Sequence, residues 1–186
     1  MSKGLLIFFD CEFTDLSVDS RLISIGLVSE NGNCEFYAEL SETYQSPDCS
    51  DFVREAVLPQ LQGGDALMTM RELSLRLLDW LIAFGEPVQL ATDSLQWDWP
   101  WIEKIFAEAG AYLLEQTPAW QDIKDSSHRL AAVARPANVD GRPYALQQST
   151  AFNLSIEQAF ESGLLRRHHA LDDAKANRIA WMDAQK

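Results

Sequence analysis

One segment near the start of the chain limits the fold more than any other. Leu5–Cys11 reads as a strand with apolar side chains on both faces, and its run Leu5–Phe9 is unbroken. Such a strand belongs at the centre of a sheet covered on both sides, not at a wetted edge. Asp10 and Glu12 stand two residues apart at its end. Strand side chains alternate, so both carboxylates leave from one face. Two carboxylates that close repel unless a cation bridges them or one keeps a proton. In α/β sheets, sites form at the carboxyl ends of strands. Strand ends also carry solvated acids without any such role.

Leu22–Ser29 and Cys34–Leu40 are two further strands, and Asn31-Gly32-Asn33 between them predicts a hairpin. With the first strand they form an antiparallel meander. Ser50–Leu58 predicts a short helix. Met70, Leu73, Leu77, Leu78 and Leu81 give Thr69–Phe84 a helical period. Gly85-Glu86-Pro87 breaks the chain before a strand at Val88–Thr92. Pro100 fits the first turn of a helix to about Ala109, with Gly110 as its stop. Residues 117–124 predict another strand, and 125–153 a long irregular segment of the kind that often carries function. Ser155 caps a short helix, Ile156–Glu161, and Ala170–Gln185 is the terminal helix. The expected fold is α/β: a mixed sheet of about five strands flanked by helices. The 186 residues show no repeat or compositional break, so 1–186 is expected to be one domain.

Charge narrows the function. Fifteen Lys and Arg against 28 Asp and Glu give −13, which excludes a surface that grips nucleic acid by bulk positive charge. Local basic patches, or acids masked by bound cations, stay open. Cys11, Cys34 and Cys49 lack CxxC spacing, so free thiols are expected, not a disulfide scaffold or structural zinc. The Leu5–Phe9 run is shorter than a signal core of about 7–15 residues or a membrane span of about 20. A cytoplasmic protein without a membrane partner is expected.

Further acids lie downstream. Asp172-Asp173 opens the terminal helix, where the helix dipole favours acids with or without a function. His168 and His169 precede them, and histidine exchanges a proton near neutral pH. Asp98, in Trp97-Asp98-Trp99-Pro100, fits an N-cap or a ligand, and Asp93 is its rival. Phe13 follows the first acids directly. Trp97, Trp99 and Trp101 suit a core.

Together these sets resemble the DEDDh branch of the 3′–5′ exonucleases, which have a ribonuclease H-like fold. The family's DxE is matched by Asp10-Cys11-Glu12, its aspartate after an aromatic by Trp97-Asp98, and its HxAxxD by His168-His169-Ala170-Leu171-Asp172-Asp173. The order is the family's and spans nearly the whole chain. Ser94, Phe13 with Thr14, and Ser24 depart from residues many relatives carry, which leaves the substrate open without removing a ligand. The run Phe13, Leu22–Val28 and Phe36-Tyr37-Ala38 looks most like a small stand-alone exoribonuclease group.

The resemblance implies two Mg²⁺ or Mn²⁺ ions per site and a two-metal hydrolysis of phosphodiesters. Asp10, Glu12 and Asp173 would hold the first ion. Asp10 and Asp98 would reach the second, and His168 would be general base. His169 would point elsewhere, and Asp172 would be a solvated first-turn acid. Phe13, Thr14 and Leu16 would meet the substrate, with Leu16 wedged at the terminal base step. Arg166, Arg167, Lys175 and Arg178 would meet phosphates or form a solvated basic edge. The expected partner is the 3′ end of single-stranded RNA, with single-stranded DNA as the alternative. A non-catalytic ribonuclease H-like binding module is a second alternative. A homodimer is expected from the same group.

Overall fold

A computed structural model describes residues 4–116, 131–132 and 134–186. The expected strand at 117–124 lies outside the described residues, as does part of 125–153. The chain builds a six-stranded mixed sheet in the order β4-β3-β2-β1-β5-β6. Its strands are β1 (Leu5–Phe13), β2 (Leu22–Ser29), β3 (Glu35–Leu40), β4 (Leu67–Met68), β5 (Val88–Thr92) and β6 (Tyr144–Ala145). The first three pair antiparallel, while β5 joins β1 in parallel. This is a mixed α/β architecture consistent with a ribonuclease H-like fold. Four of the five expected strands are β1, β2, β3 and β5, and the two strands that were not expected are β4 and β6, each two residues long. A strand of that length has no period to read.

The two apolar faces of β1 have separate coverings. Ile7, Phe9 and Cys11 pack with Leu73, Leu77, Ile102 and Phe106. These last come from α1 (Met70–Ile82) and α2 (Leu95–Glu115). Leu6 and Phe8 pack instead with Phe152 of α3 (Thr150–Glu161) and Ala174 and Trp181 of α4 (Ala170–Ala184). Asp10 and Glu12 continue the second series, so they face the α4 side.

Capping explains most helix starts. Thr69 accepts from the Glu72 amide, and Glu72 returns a bond to the Thr69 amide, which closes a capping box on α1. Residues 51–57 coil into a helical turn with a π segment at Val53–Val57, near the expected short helix. α2 departs from expectation: it starts at Ser94 and runs past Gly110, which is buried, to Glu115. Pro100 therefore sits inside the helix, in its second turn, where it removes one amide donor from the i→i−4 ladder. Asp98 is inside it too and is not its N-cap. α3 also starts early, because Ser149 and not Ser155 caps it. Ser155 is buried and bonds Asp183 of α4 instead.

Two features position α4. Gly26 pairs with Asp10 on one side and Tyr37 on the other. A Cβ on Gly26 would lie 2.2 Å from the backbone of Leu171, so a glycine is what lets the first turn of α4 rest on β2. The second is His169, whose ring nitrogen Nδ1 lies 3.4 Å from the Asp172 amide at the helix N-cap.

No helix among the described residues is long and apolar enough to cross a membrane. Cys11 and Cys49 are buried, Cys34 is exposed, and none is in a disulfide.

Candidate active site

The cleft opens where β1 outruns its parallel neighbour. Pairing of β1 with β5 stops at Phe8 and Ala91, while β1 continues beside β2 to Phe13. The free edge beyond Phe8 is met by the start of α2. Asp98 there is 1% exposed and accepts from the Thr92 hydroxyl and the Cys11 amide. A cleft of about 290 Å³ results, lined by Asp10, Glu12, Phe13, Leu16, Asp93, Trp97, Asp98, Arg167, His168, Asp173 and Asn177 among others.

The acids fall into two adjoining groups. Ligand atoms of Glu12, His168 and Asp173 lie within 4.8 Å of one another, and so do those of Asp10, Asp93 and Asp98. Residues far apart in sequence thus converge: the end of β1, the start of α2 and the first turn of α4. Asp10 groups with Asp98, while Glu12 groups with Asp173. Asp93, expected only as a rival to Asp98, joins it. Its carboxylate accepts from Asn177 Nδ2 at 2.8 Å and Gln148 Nε2 at 3.2 Å. The available signal was its place just after a strand that turns out to be β1's parallel neighbour.

Crowding raises these acids. Burial, then the charges of Asp98, Asp173 and Glu12, holds Asp10 well above the usual carboxylate range. Burial and Asp173 do the same to Glu12, which shares a hydrogen bond with Asp173. Asp98 is pushed up to about 8 by burial, against the pull of Thr92 and Cys11. Asp173 is pushed up to about 7 by burial, against hydrogen bonds from Glu12 and the His168 and His169 amides. Without cations the cleft therefore keeps protons at neutral pH. Hard divalent ions suit the five carboxylates of Asp10, Glu12, Asp93, Asp98 and Asp173 and would displace those protons. One group offers two carboxylates beside the His168 imidazole and the other offers three, so the arrangement fits two such ions.

His168 projects into the cleft from a backbone with φ +59°. Non-glycine residues rarely adopt that region, and where they do, function is a common reason. Burial and Arg167 lower its pKa, so the ring is a free base near neutral pH. Phe52 meets its ring edge-on at 4.9 Å.

The other expected substrate residues divide. Phe13 lines the cleft, turned by a bulge between Glu12 and Phe13, and stacks on Trp97 and Trp101 at 6.3 and 6.4 Å. Leu16 is 71% exposed and borders both the cleft and a second cavity of about 370 Å³. That second cavity is mostly apolar, with Phe52, Val53 and Val57 in its wall. Thr14 is not in the cleft: it is 2% exposed, and its hydroxyl accepts from the Arg21 amide. It pins the loop that carries Leu16.

Two expectations about neighbouring charges need correction. Asp172 is not solvated. It is buried and bound to Arg166 Nε at 2.8 Å, with the Arg166 amide at 3.2 Å. The expected basic cluster is also dispersed. Arg166 serves Asp172, Lys175 pairs with Glu35 at 2.8 Å, and Arg178 donates to the Glu30 carbonyl at 2.7 Å. Arg167 alone of these four lines the cleft, where it pairs with Glu157 and lies over the Phe160 ring. His169 points away from the cleft, into the fold.

No protein-family model matches the chain, and no curated protein matches its sequence.

Proposed function

We propose that this chain is a metal-dependent 3′–5′ exoribonuclease that shortens single-stranded RNA from its 3′ end. One observation carries the proposal. Asp10, Glu12, Asp98, Asp173 and His168, spread from residue 10 to residue 173, meet in one cleft in two groups of ligand atoms each within 4.8 Å. A solvated set of acids would have no reason to crowd together, half-buried around the fully buried Asp98, at such electrostatic cost.

Mg²⁺ or Mn²⁺, bound by Glu12 with Asp173 and by Asp10 with Asp93 and Asp98, would supply charge neutralisation on the phosphate and a more acidic water. The chain supplies the rest. His168 is an unprotonated imidazole at the cleft and accepts the proton of the attacking water. Its ligand atom is within 4.8 Å of those of Glu12 and Asp173, so the imidazole stands beside the charge cluster, which supports that role. Arg167 lies at the cleft wall, within reach of a phosphate. Phe13, packed on two tryptophans, gives the terminal nucleotide a rigid ring to lie against, and Leu16 separates the polar cleft from the apolar cavity beside it. A single strand can present unstacked bases to such a surface, and a duplex cannot.

A cytoplasmic location and a homodimer belong to the same proposal, the latter to be read from mass by light scattering. The function is tested with 5′-labelled single-stranded RNA and its DNA counterpart, incubated with Mg²⁺, Mn²⁺ or a chelator, beside Asp173→Asn. A ladder shortening from the 3′ end, faster on RNA, lost with chelator and in the variant, is the expected result. A faster ladder on DNA would make the chain a DNA 3′–5′ exonuclease. No shortening with either metal would contradict catalysis and favour a binding module.

A further inference from the structure

We infer that His169, Tyr37, Glu39 and Gln62 form a positioning set for His168, holding the turn from which that ring enters the cleft. The inference rests on the proposed role of His168 as general base. It starts from strain. His168 is the only described non-glycine residue with positive φ, at +59°. Such a backbone persists where its surroundings fix both flanks.

The flank before it is fixed through Arg166, whose amide and Nε both reach Asp172 Oδ2 and whose Nη1 reaches the Gln60 carbonyl at 3.3 Å. The flank after it is fixed through His169. That ring is 1% exposed, stacks on Tyr37 at 4.4 Å, and has its Nε2 2.9 Å from Gln62 Nε2. Both flanks therefore reach the same short loop, residues 60–63.

Glu39 anchors that loop. It is buried on β3 and accepts from the Gln62 amide at 2.5 Å and the Gly63 amide at 2.9 Å. It also accepts from the Tyr37 hydroxyl at 2.8 Å. One buried carboxylate thus holds both things that hold His169: the ring beneath it and the loop beside it. A phenylalanine at 169 could fill the same space. A histidine that meets the Gln62 side chain through its Nε2 also fixes the ring's direction, and with it the direction of the preceding peptide. Tyr37 and Glu39 lie across Gly26 and Ser24 from Asp10 and Glu12. The set is therefore built into the sheet rows that carry the metal-side acids.

The test uses the full chain and the variants Gln62→Ala and Tyr37→Phe. Gln62 is exposed, so its truncation leaves the core intact. Four quantities are measured: Tm, Mn²⁺ affinity, kcat and KM on single-stranded RNA, and the ring signals of His168 in histidine-labelled protein by NMR. The expected result for Gln62→Ala is an unchanged Tm and Mn²⁺ affinity, a shifted or broadened His168 signal, and kcat down about tenfold with KM unchanged. Tyr37→Phe, which keeps the stack, should move both less. Unmoved His168 signals with wild-type kcat in both variants would overturn the inference. So would a loss of kcat that follows Tm alone. If the wild type hydrolyses no RNA, the proposed function falls, and the His168 signal by itself decides whether the set positions that ring.

Discussion

Asp172 and Asp173 are the same residue type at adjacent positions, and the fold treats them as opposites. Asp172 turns toward cations. Arg166 binds it at 2.8 Å, and Lys175 stands 4.0 Å away. Asp173 turns toward other acids, shares a hydrogen bond with Glu12, and is pushed up to about 7. The same division runs through the whole surround of the first turn of α4. On one side, Tyr37, Glu39, Gln62 and His169 satisfy each other. On the other, Asp10, Glu12, Asp93, Asp98 and Asp173 burden each other. A buried polar group that is fully paired does structural work. Buried acids that lack counter-charge are stabilised fully only when a cation arrives. The contrast between the two sides is thus the contrast between architecture and a site awaiting its ligands.

The largest effect should come from Asp173→Asn. It removes one ligand atom's charge at nearly constant shape, and RNA hydrolysis should fall about 10²–10³-fold, the scale of losing one preorganised electrostatic contact. Without metal, the same variant should have a Tm equal to or above wild type, because a repulsive charge has gone. A lower metal-free Tm would mean that Asp173 supports the fold as Asp172 does.

Gly26→Ala attacks both sides together. Its Cβ meets the Leu171 backbone at 2.2 Å, and backbone cannot step aside as a side chain does. Stability should fall by about 3 kcal/mol, the upper end for overpacking, with Mn²⁺ affinity falling alongside. Urea unfolding with and without Mn²⁺ reads both. A neutral Gly26→Ala would show that α4 is not seated on β2 as described.

Asp172→Ala sharpens the comparison from the other side. It should cost about 1–2 kcal/mol, the range for hydrogen bonds to a charged partner that stays half-exposed. Mn²⁺ affinity should hold. A loss of Mn²⁺ binding larger than the loss of stability would erase the distinction between the two aspartates.

The smallest effect is a slope. Asp98 at about 8 and Asp173 at about 7 keep protons in the fold that the unfolded chain has released. A group raised in this way stabilises at low pH and loses that stabilisation as pH climbs through its folded value. Metal-free Tm should therefore fall between about pH 4 and pH 8 more steeply in wild type than in Asp98→Asn. Saturating Mn²⁺ should flatten the slope. Equal slopes in the two proteins would contradict the crowding of these acids.

The two sides differed in how far the sequence revealed them. Asp10 and Glu12 were legible because a strand's period of two is a local rule, and the same-face prediction needs no partner. β5 and the span of α1 were legible from equally local signals, a Gly-Glu-Pro break and a helical apolar period. Asp93 was not, because its approach to Asp10 depends on β5 pairing in parallel with β1 across some 80 positions of chain. Asp172 was misjudged because a first-turn acid is solvated by default, and Arg166 becomes its partner only when the preceding turn folds back. Thr14 carries no local sign that Arg21 will take its hydroxyl. Pro100 as a start and Gly110 as a stop are local signals that packing of α2 against β1 overrides, which moved both ends of that helix. Local periodicity reaches the acids at strand ends. The division of buried acids into paired and unpaired belongs to tertiary structure.

Calorimetric titration of metal-free protein with Mn²⁺, run on wild type, Asp173→Asn and Asp172→Asn, bears on the central claim most directly. Two ions per chain in wild type, weakened binding in Asp173→Asn and wild-type binding in Asp172→Asn is the predicted result. No Mn²⁺ uptake by the folded wild type, or equal losses in the two variants, would contradict it.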